Sequence, residues 1–289
     1  MMTDAKTILK ISGLKKQYSK KEVLKGIDIE IKAGEFVVVI GPSGAGKSTF
    51  IRCINRMVDP TQGAVEFDGI DVAKLKGKAL REARSNIGMI FQHYNLIGRT
   101  NVIKNVLHGR LGHHSFFKTL TGRYSDQERR EAFDLLQKVG LGEHIYKKAN
   151  ALSGGQMQRV GICRAMMQDP KLLLADEPIA SLDPKSAKII MDQIKDLVIE
   201  RHIACVMNLH QVQVAKDYAT RIIGIKDGCV VYDGVPNGLT EEMMSVKALY
   251  LEVAFDTVKK IYGTFDTYLK EALKVTDEEI SKLRTLYLV

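Results

Sequence analysis

The sequence predicts an α/β fold built around a phosphate-binding loop, and three stretches carry that prediction. Gly41-Pro42-Ser43-Gly44-Ala45-Gly46-Lys47-Ser48-Thr49 follows the apolar run Phe36–Ile40 and precedes a helix-compatible segment from Lys47 to Met57, giving strand, glycine-rich loop and helix. Leu172-Leu173-Leu174-Ala175 reads as a short buried strand and ends in the paired carboxylates Asp176-Glu177. Ile203 to Leu209 reads as a further strand, with His210 at its end.

A chain of 289 residues can build one large domain or two small ones, and 45% hydrophobic with 27% charged residues is the composition of a soluble globular protein. No apolar run approaches the roughly 18–20 residues that span a bilayer. Asp4 and Lys6 stand where a signal peptide would need its apolar core, so the chain is expected in the cytoplasm. Cys53, Cys163, Cys205 and Cys229 lack metal-ligand or disulfide spacing and read as reduced packing residues. The adjacent His113 and His114 would point in different directions on any regular element, with no Cys or carboxylate cluster beside them, so no metal is expected there. The formal charge of +9 and the loose cluster Lys15, Lys16, Lys20, Lys21, Lys25 suit nucleic acid, an anionic lipid surface or plain solvation. Without an aromatic-interleaved RNA motif or a recognition helix, no nucleic-acid partner is expected.

In chain order, Ile8–Ile11, Ile27–Ile31 and Phe36–Ile40 read as short strands, with a turn at Ala33-Gly34 and Tyr18 in a polar loop from which its ring could stack on a base. In the phosphate loop, Gly41, Gly44 and Gly46 permit the tight turn and the close approach of backbone N–H groups to phosphate oxygens. Lys47 is placed to reach the β and γ phosphates, Ser48 to ligate Mg2+, and the helix that begins there turns its positive end to the anion. Val65-Glu66-Phe67 with Asp68-Gly69 reads as a hairpin strand and its turn, and Ile87–Phe91 as a strand ended by Gln92. A glutamine there could touch both a metal-bound water and a mobile segment beyond.

From His93 to about Arg164 the strand pattern gives way to a helical insertion, in which Asp126 to Val139 places Phe133, Leu136 and Val139 at helical spacing before Gly140. Leu152-Ser153-Gly154-Gly155-Gln156 then opens a helix with Ser153 as N-cap, a second phosphate-friendly helix start. At the end of the next strand, Asp176 is suited to Mg2+ and Glu177 to an attacking water. Asp183-Pro184 opens a helix to about Glu200, and Ile222–Ile225 with Cys229–Tyr232 forms a closing hairpin. Beyond Thr240 the pattern is helical, with Leu251, Phe255, Val258, Tyr262, Phe265 and Leu269 at three- and four-residue steps, a break at Gly263, and a capping box at Thr276 and Glu279. These helices either pack on the core or form a dimerisation or regulatory tail.

Taken in this order, the phosphate loop, Gln92, Leu152–Gln156, Leu174–Glu177, Ser181–Asp183 and His210 resemble the ATP-binding subunit of an ABC transporter over roughly residues 6–237. The resemblance implies a P-loop NTPase of ABC type, with an N-terminal antiparallel β-subdomain, a RecA-like core and an inserted α-helical subdomain. It implies an ATPase domain over 1–239, with the helical subdomain at about 93–165, and leaves 240–289 as a helical extension. It also implies a head-to-tail homodimer in which each ATP lies between one subunit's phosphate loop and the other's Leu152–Gln156.

Carried over by resemblance, Tyr18 matches the adenine-stacking aromatic, residues Gly41 to Thr49 the phosphate cradle, and Gln92 the loop that couples the site to the membrane partner and touches Mg2+. Ser153, Gly154, Gly155 and Gln156 match the contacts made across the dimer, Asp176 the Mg2+-side carboxylate, Glu177 the catalytic base, Asp183 the intersubunit loop and His210 the γ-phosphate switch. The segments Phe91–Ile97, Asn105–Gly112 and Asn208–Val212 are similar to the ATPase of bacterial phosphonate importers, whereas Arg99-Thr100 and the long tail fit that group less neatly. The implied partners are integral membrane permeases and, indirectly, a substrate-binding protein, which places the subunit peripherally at the cytoplasmic face of the plasma membrane. Three other readings stand beside it: an importer ATPase for another small anion or nutrient, a soluble ATPase of a phosphonate-degrading complex, and a small-molecule kinase, the last leaving Leu152–Gln156 unexplained.

Overall fold

The computed structural model describes residues 6–114, 122–239, 258–259, 262–271 and 276. The chain divides by contact into two compact units, Met1–Leu239 and Thr240–Val289. The first begins with strands β1 (Thr7–Tyr18) and β2 (Lys21–Lys32), which form a long hairpin, followed by β3 (Phe36–Ile40), the glycine-rich loop and helix α1 (Lys47–Ile54). Next come β4 (Gln62–Phe67), β5 (Ile70–Asp71), α2 (Gly77–Ser85) and β6 (Ile87–Ile90). Helices α3 (Val102–Leu107), α4 (Asp126–Lys138) and α5 (Gly154–Met166) are inserted before β7 (Leu172–Asp176). The unit closes with α6 (Pro184–Glu200), β8 (Ala204–Asn208), α7 (Val212–Tyr218), β9 (Arg221–Lys226) and β10 (Cys229–Gly234).

Two sheets result. The first, in the order β2-β1-β4-β5, is antiparallel. The second, in the order β10-β9-β3-β8-β7-β6, is parallel except for its β10 edge. β3, β6, β7 and β8 are buried along their whole length, as suits strands covered on both faces, and apart from the terminal Asp176 of β7 and Asn208 of β8 they carry no polar side chain. α1 lies between the sheets: Phe50, Ile51, Cys53 and Ile54 are fully enclosed by Leu9, Ile11, Leu14 and Leu24 from the antiparallel sheet and Val37, Val39, Leu174 and Val206 from the parallel one. Each such aliphatic or aromatic side chain contributes about 1.5–3 kcal/mol on burial. The helix that starts at the phosphate loop is therefore held from both sides.

The structure revises several sequence expectations. β1 and β2 run well beyond Ile8–Ile11 and Ile27–Ile31, because Gly13, at φ +57°, allows a bulge through which the pairing continues. Tyr18 thus ends a strand instead of lying in a loop. On α4 the buried face is Ala132, Leu135 and Leu136, and Phe133 is left exposed. Cys53, Cys163 and Cys205 are buried, with thiols pushed up by desolvation, whereas Cys229 is exposed and is not a packing residue. α2 buries only Ser85 and α7 only Ala215, so neither carried an apolar stripe to reveal it.

His113 and His114 serve the fold. His113 Nε2 lies 3.0 Å from the Ser85 carbonyl and 2.8 Å from that of Gln168, and His114 Nε2 lies 2.6 Å from Glu128 Oε1. In the second unit, helix α8 (Phe265–Glu271) follows Gly263, which takes φ +75°. Leu251, Phe255 and Glu279 of the predicted tail pattern lie outside the described residues. No helix among the described residues is long and apolar enough to cross a membrane.

Candidate active site

The loop between β3 and α1 is shaped by its glycines. Gly41, Gly44 and Gly46 take φ of +152°, +80° and +103°. A Cβ on Gly41 would lie 2.0 Å from the Ile225 carbonyl oxygen, and one on Gly46 would lie 2.8 Å from Leu24 Cδ2 and 3.0 Å from the Val23 oxygen. Pro42 is half-buried, Ser43 and Gly44 form the exposed rim, and Ala45 closes the base, with Ser48 and Thr49 half-buried in the first helical turn. Gly46 caps α1 without a side-chain acceptor, and the first turn holds no acidic residue. The leading N–H groups of the helix and its positive end are thus turned toward the loop. Lys47 is buried, and its ammonium donates to the carbonyls of Gly41 (2.8 Å) and Pro42 (3.0 Å). Burial draws its pKa below the ordinary lysine value, while the nearby Glu177 and Asp176 oppose that shift.

The sheet order brings the remaining chemistry to the same edge. β8 lies between β3 and β7, with Asn208 paired in register with Val39 on one side and Asp176 on the other. Asn208 is completely buried, and its Nδ2 donates to Asp176 Oδ1 (2.8 Å) and to Ser48 Oγ (3.2 Å). Its Oδ1 accepts the backbone N–H of Glu177 at 2.5 Å. The other oxygen of Asp176 accepts from Arg52 Nε at 3.0 Å and pairs with Nη2 at 2.8 Å. Glu177 takes φ +50°, a left-handed conformation that costs a non-glycine residue about 1–2 kcal/mol. Its Oε1 lies 2.7 Å from Nε2 of the more exposed His210.

Lys47, Ser48, Asp176, Glu177 and His210 therefore converge. Arg52 and Asn208 belong to the same cluster and were not singled out as site residues from sequence. For Asn208 the legible signal was a polar side chain ending the otherwise apolar Ile203–Leu209 run.

Outside the phosphate loop, the other predicted residues make no hydrogen bond or ion pair with these five, and Gln92 follows β6 at the sheet end where Ile90 pairs with Ala175, next to Asp176. Tyr18 is exposed at the tip of the β1–β2 hairpin, with the Lys16 ammonium 4.7 Å from its ring centroid. Gln92 is half-buried, two residues past β6. Ser153 and Gln156 form a reciprocal capping box at the start of α5, so the Gln156 side chain serves its own helix. A Cβ on Gly154 would meet the Tyr94 hydroxyl at 2.7 Å, and one on Gly155 would lie 3.6 Å from Ser186 Oγ in the first turn of α6. Asp183 is exposed and caps α6 by accepting from the Ser186 N–H at 3.0 Å, and hydrogen bonding from the Ser186 side chain, then from its backbone, holds the carboxyl below the usual range. Ser153–Gln156 and Asp183 thus form a second, outward cluster.

The first cluster fits a magnesium nucleotide. The loop has the positive-φ glycines that wrapping a polyphosphate needs, and a side chain at Gly41 or Gly46 would drive it against the Ile225 carbonyl or against Leu24 and Val23 and break its shape. Ser48 Oγ and Asp176 Oδ1, both drawn to one Asn208 amide, are oxygen donors of the hard kind that Mg2+ takes.

Comparison with known proteins agrees with this geometry. The family description "ABC transporter" matches residues 24–180. The chain is 54% identical to the phosphonates import ATP-binding protein PhnC 2 of Oceanobacillus iheyensis, over 84% of this chain and 96% of the relative. It is 48% identical to the phosphonates import ATP-binding protein PhnC of Treponema denticola, over 88% and 99%. Among solved structures, the dimeric post-hydrolysis state of the ATP-binding cassette MJ0796 bound to ADP and Pi superposes with a TM-score of 0.71 at 35% identity, covering 80% of this chain and all of that one. A second description, "Tyrosine phosphatase family", matches residues 198–289. Up to Leu239 that span runs from the end of α6 through β10, and of its two cysteines Cys205 is enclosed in β8 and Cys229 is exposed at the start of β10.

Proposed function

The chain belongs to the ABC transporter ATP-binding family, and from that premise we propose that it is the ATP-hydrolysing subunit of a bacterial importer for phosphonates. The observation that carries the catalytic part is the contact of Glu177 with His210 at 2.7 Å, beside Asp176, Ser48 and the phosphate loop. The phosphonate part rests on the curated relatives, which align over nearly their whole length and carry that name.

In this reading Lys47 and the N–H groups of Gly44 to Ser48 take up phosphate charge. Glu177 orients a water and accepts its proton, and His210, poised on the same carboxylate, contacts the γ-phosphate and senses its loss. Mg2+, when bound, neutralises charge on the phosphates, and Ser48, Asp176 and Gln92 would hold it. Tyr18 stacks on the base. The outward cluster of Ser153, Gly154, Gly155, Gln156 and Asp183 serves the nucleotide of a second copy of the chain, head to tail. The dimeric state of the solved relative supports that arrangement. Closure of the dimer moves a pair of integral permeases docked near Gln92, with a substrate-binding protein delivering the phosphonate from outside and no nucleic acid involved. The subunit then works peripherally, at the cytoplasmic face of the plasma membrane.

The test is Glu177→Gln in the full chain. ATP turnover is expected to fall about 10²–10⁴-fold, the range for losing a general base, while ATP binding persists and a dimer accumulates on gel filtration. An active variant overturns the assigned base. Affinity purification from detergent-solubilised membranes should recover a permease whose complex is stimulated by phosphonate-loaded binding protein. Recovery of soluble enzyme subunits alone overturns the transport reading.

A further inference from the structure

We infer that Asn208 is a positioning residue that ties the metal side of the site to the base side, so that Ser48, Asp176 and Glu177 are set as one unit. The inference rests on the roles proposed above for those three residues. β8 is flanked by the strand that ends in the phosphate loop and the strand that ends in the two carboxylates. Its last residue is thus adjacent in register to both strand ends. An amide is suited to this place because it donates and accepts at once. The two Nδ2 hydrogens of Asn208 reach Asp176 Oδ1 at 2.8 Å and Ser48 Oγ at 3.2 Å, and Oδ1 takes the Glu177 N–H at 2.5 Å.

Each bond constrains something different. The Ser48 and Asp176 bonds orient the two oxygens suited to Mg2+. The Glu177 bond secures a backbone N–H at a residue held at φ +50°, and with it the direction in which the Glu177 carboxylate leaves the chain toward His210. All three bonds are made by a side chain with no exposed surface. Ser48 and Asp176 lie 128 residues apart in the chain and are joined here by one amide. The reading differs from a purely structural role in a specific way: removing the amide should alter the response to Mg2+ and the turnover before it alters nucleotide affinity.

Asn208→Leu keeps the branching at Cγ, with bulkier methyl ends, and deletes all three bonds, and Asn208→Asp keeps the acceptor for Glu177 while deleting the donors to Ser48 and Asp176. In the full-length protein, binding of a fluorescent ATP analogue is followed as Mg2+ is titrated, alongside steady-state ATPase and thermal unfolding. For Asn208→Leu the Mg2+ midpoint should rise by about 10-fold or more, as expected when a partner of a metal ligand is lost. Metal-free nucleotide binding should stay within about threefold, and kcat should fall by about 10²-fold, the scale of a small misplacement of reacting groups. In the Glu177→Gln background, Asn208→Leu should cause little further loss of turnover, because groups that act as a unit are not additive. If Asn208→Leu does not fold, Asn208→Asp decides, with kcat expected to fall at least about 10-fold.

A folded Asn208→Leu, or failing that Asn208→Asp, with unchanged kcat and Mg2+ midpoint overturns the inference. So does an Asn208→Leu that lowers thermal stability without moving either readout. These outcomes are separable from failure of the underlying reading, which shows itself as retained activity in Glu177→Gln with asparagine intact.

Discussion

At the scale of single residues, the glycines of the phosphate loop are not equivalent. Gly44 has positive φ but open space around an added Cβ, whereas at Gly41 the same atom would overlap the Ile225 carbonyl of the neighbouring strand. Gly44→Ala should therefore cost about 1–2 kcal/mol, the price of left-handed backbone alone. Gly41→Ala should destabilise the fold by at least about twice as much and abolish ATP binding, as thermal unfolding and nucleotide titration would measure. The glycines, Lys47, Asp176 and Glu177 are candidates that the sequence declares through spacing, and the structure brings them close together. Arg52 and Asn208 are not so declared, since their part depends on strands far apart in the chain becoming neighbours. A polar residue closing an apolar run says only that something must satisfy it.

Among elements, the helix ends were the most legible feature and the exposed short helices the least. Ser125 caps α4 and forms a reciprocal box with Glu128, and Ser153 with Gln156 repeats the device on α5. Such caps are local chemistry written in consecutive residues. Ser125→Ala is expected to lower stability by about 1 kcal/mol, roughly 2–4 °C in melting temperature for a unit of this size, with nucleotide binding unchanged. α2 and α7 escaped notice because each buries a single small residue, so neither leaves a periodic trace. The length of the β1–β2 hairpin was hidden for another reason: Gly13 shifts the pairing register, and the alternation of apolar residues is lost across it.

For the whole molecule, the sequence motifs implied the α/β core and the inserted helices, and the structure adds how their order gathers two separate clusters of candidate residues. Lys47, Asp176, Glu177 and His210 meet at the edge of the parallel sheet, while Ser153–Gln156 faces outward beside Asp183. Met1–Leu239 is compact in its own right, and both clusters lie within it. A chain ended after Leu239 should accordingly unfold in one cooperative transition and bind ATP with the affinity of the full protein. Loss of the cooperative transition on truncation would instead make the C-terminal residues part of the fold.

Of the four cysteines, only Cys229 is exposed, at the first position of the edge strand β10, while the other three are enclosed and their thiols are pushed up by burial. The wild-type chain thus carries its own single attachment point for a fluorophore or spin label. With one reporter on each copy, the interprobe distance would follow association and release through a turnover cycle without any engineered residue.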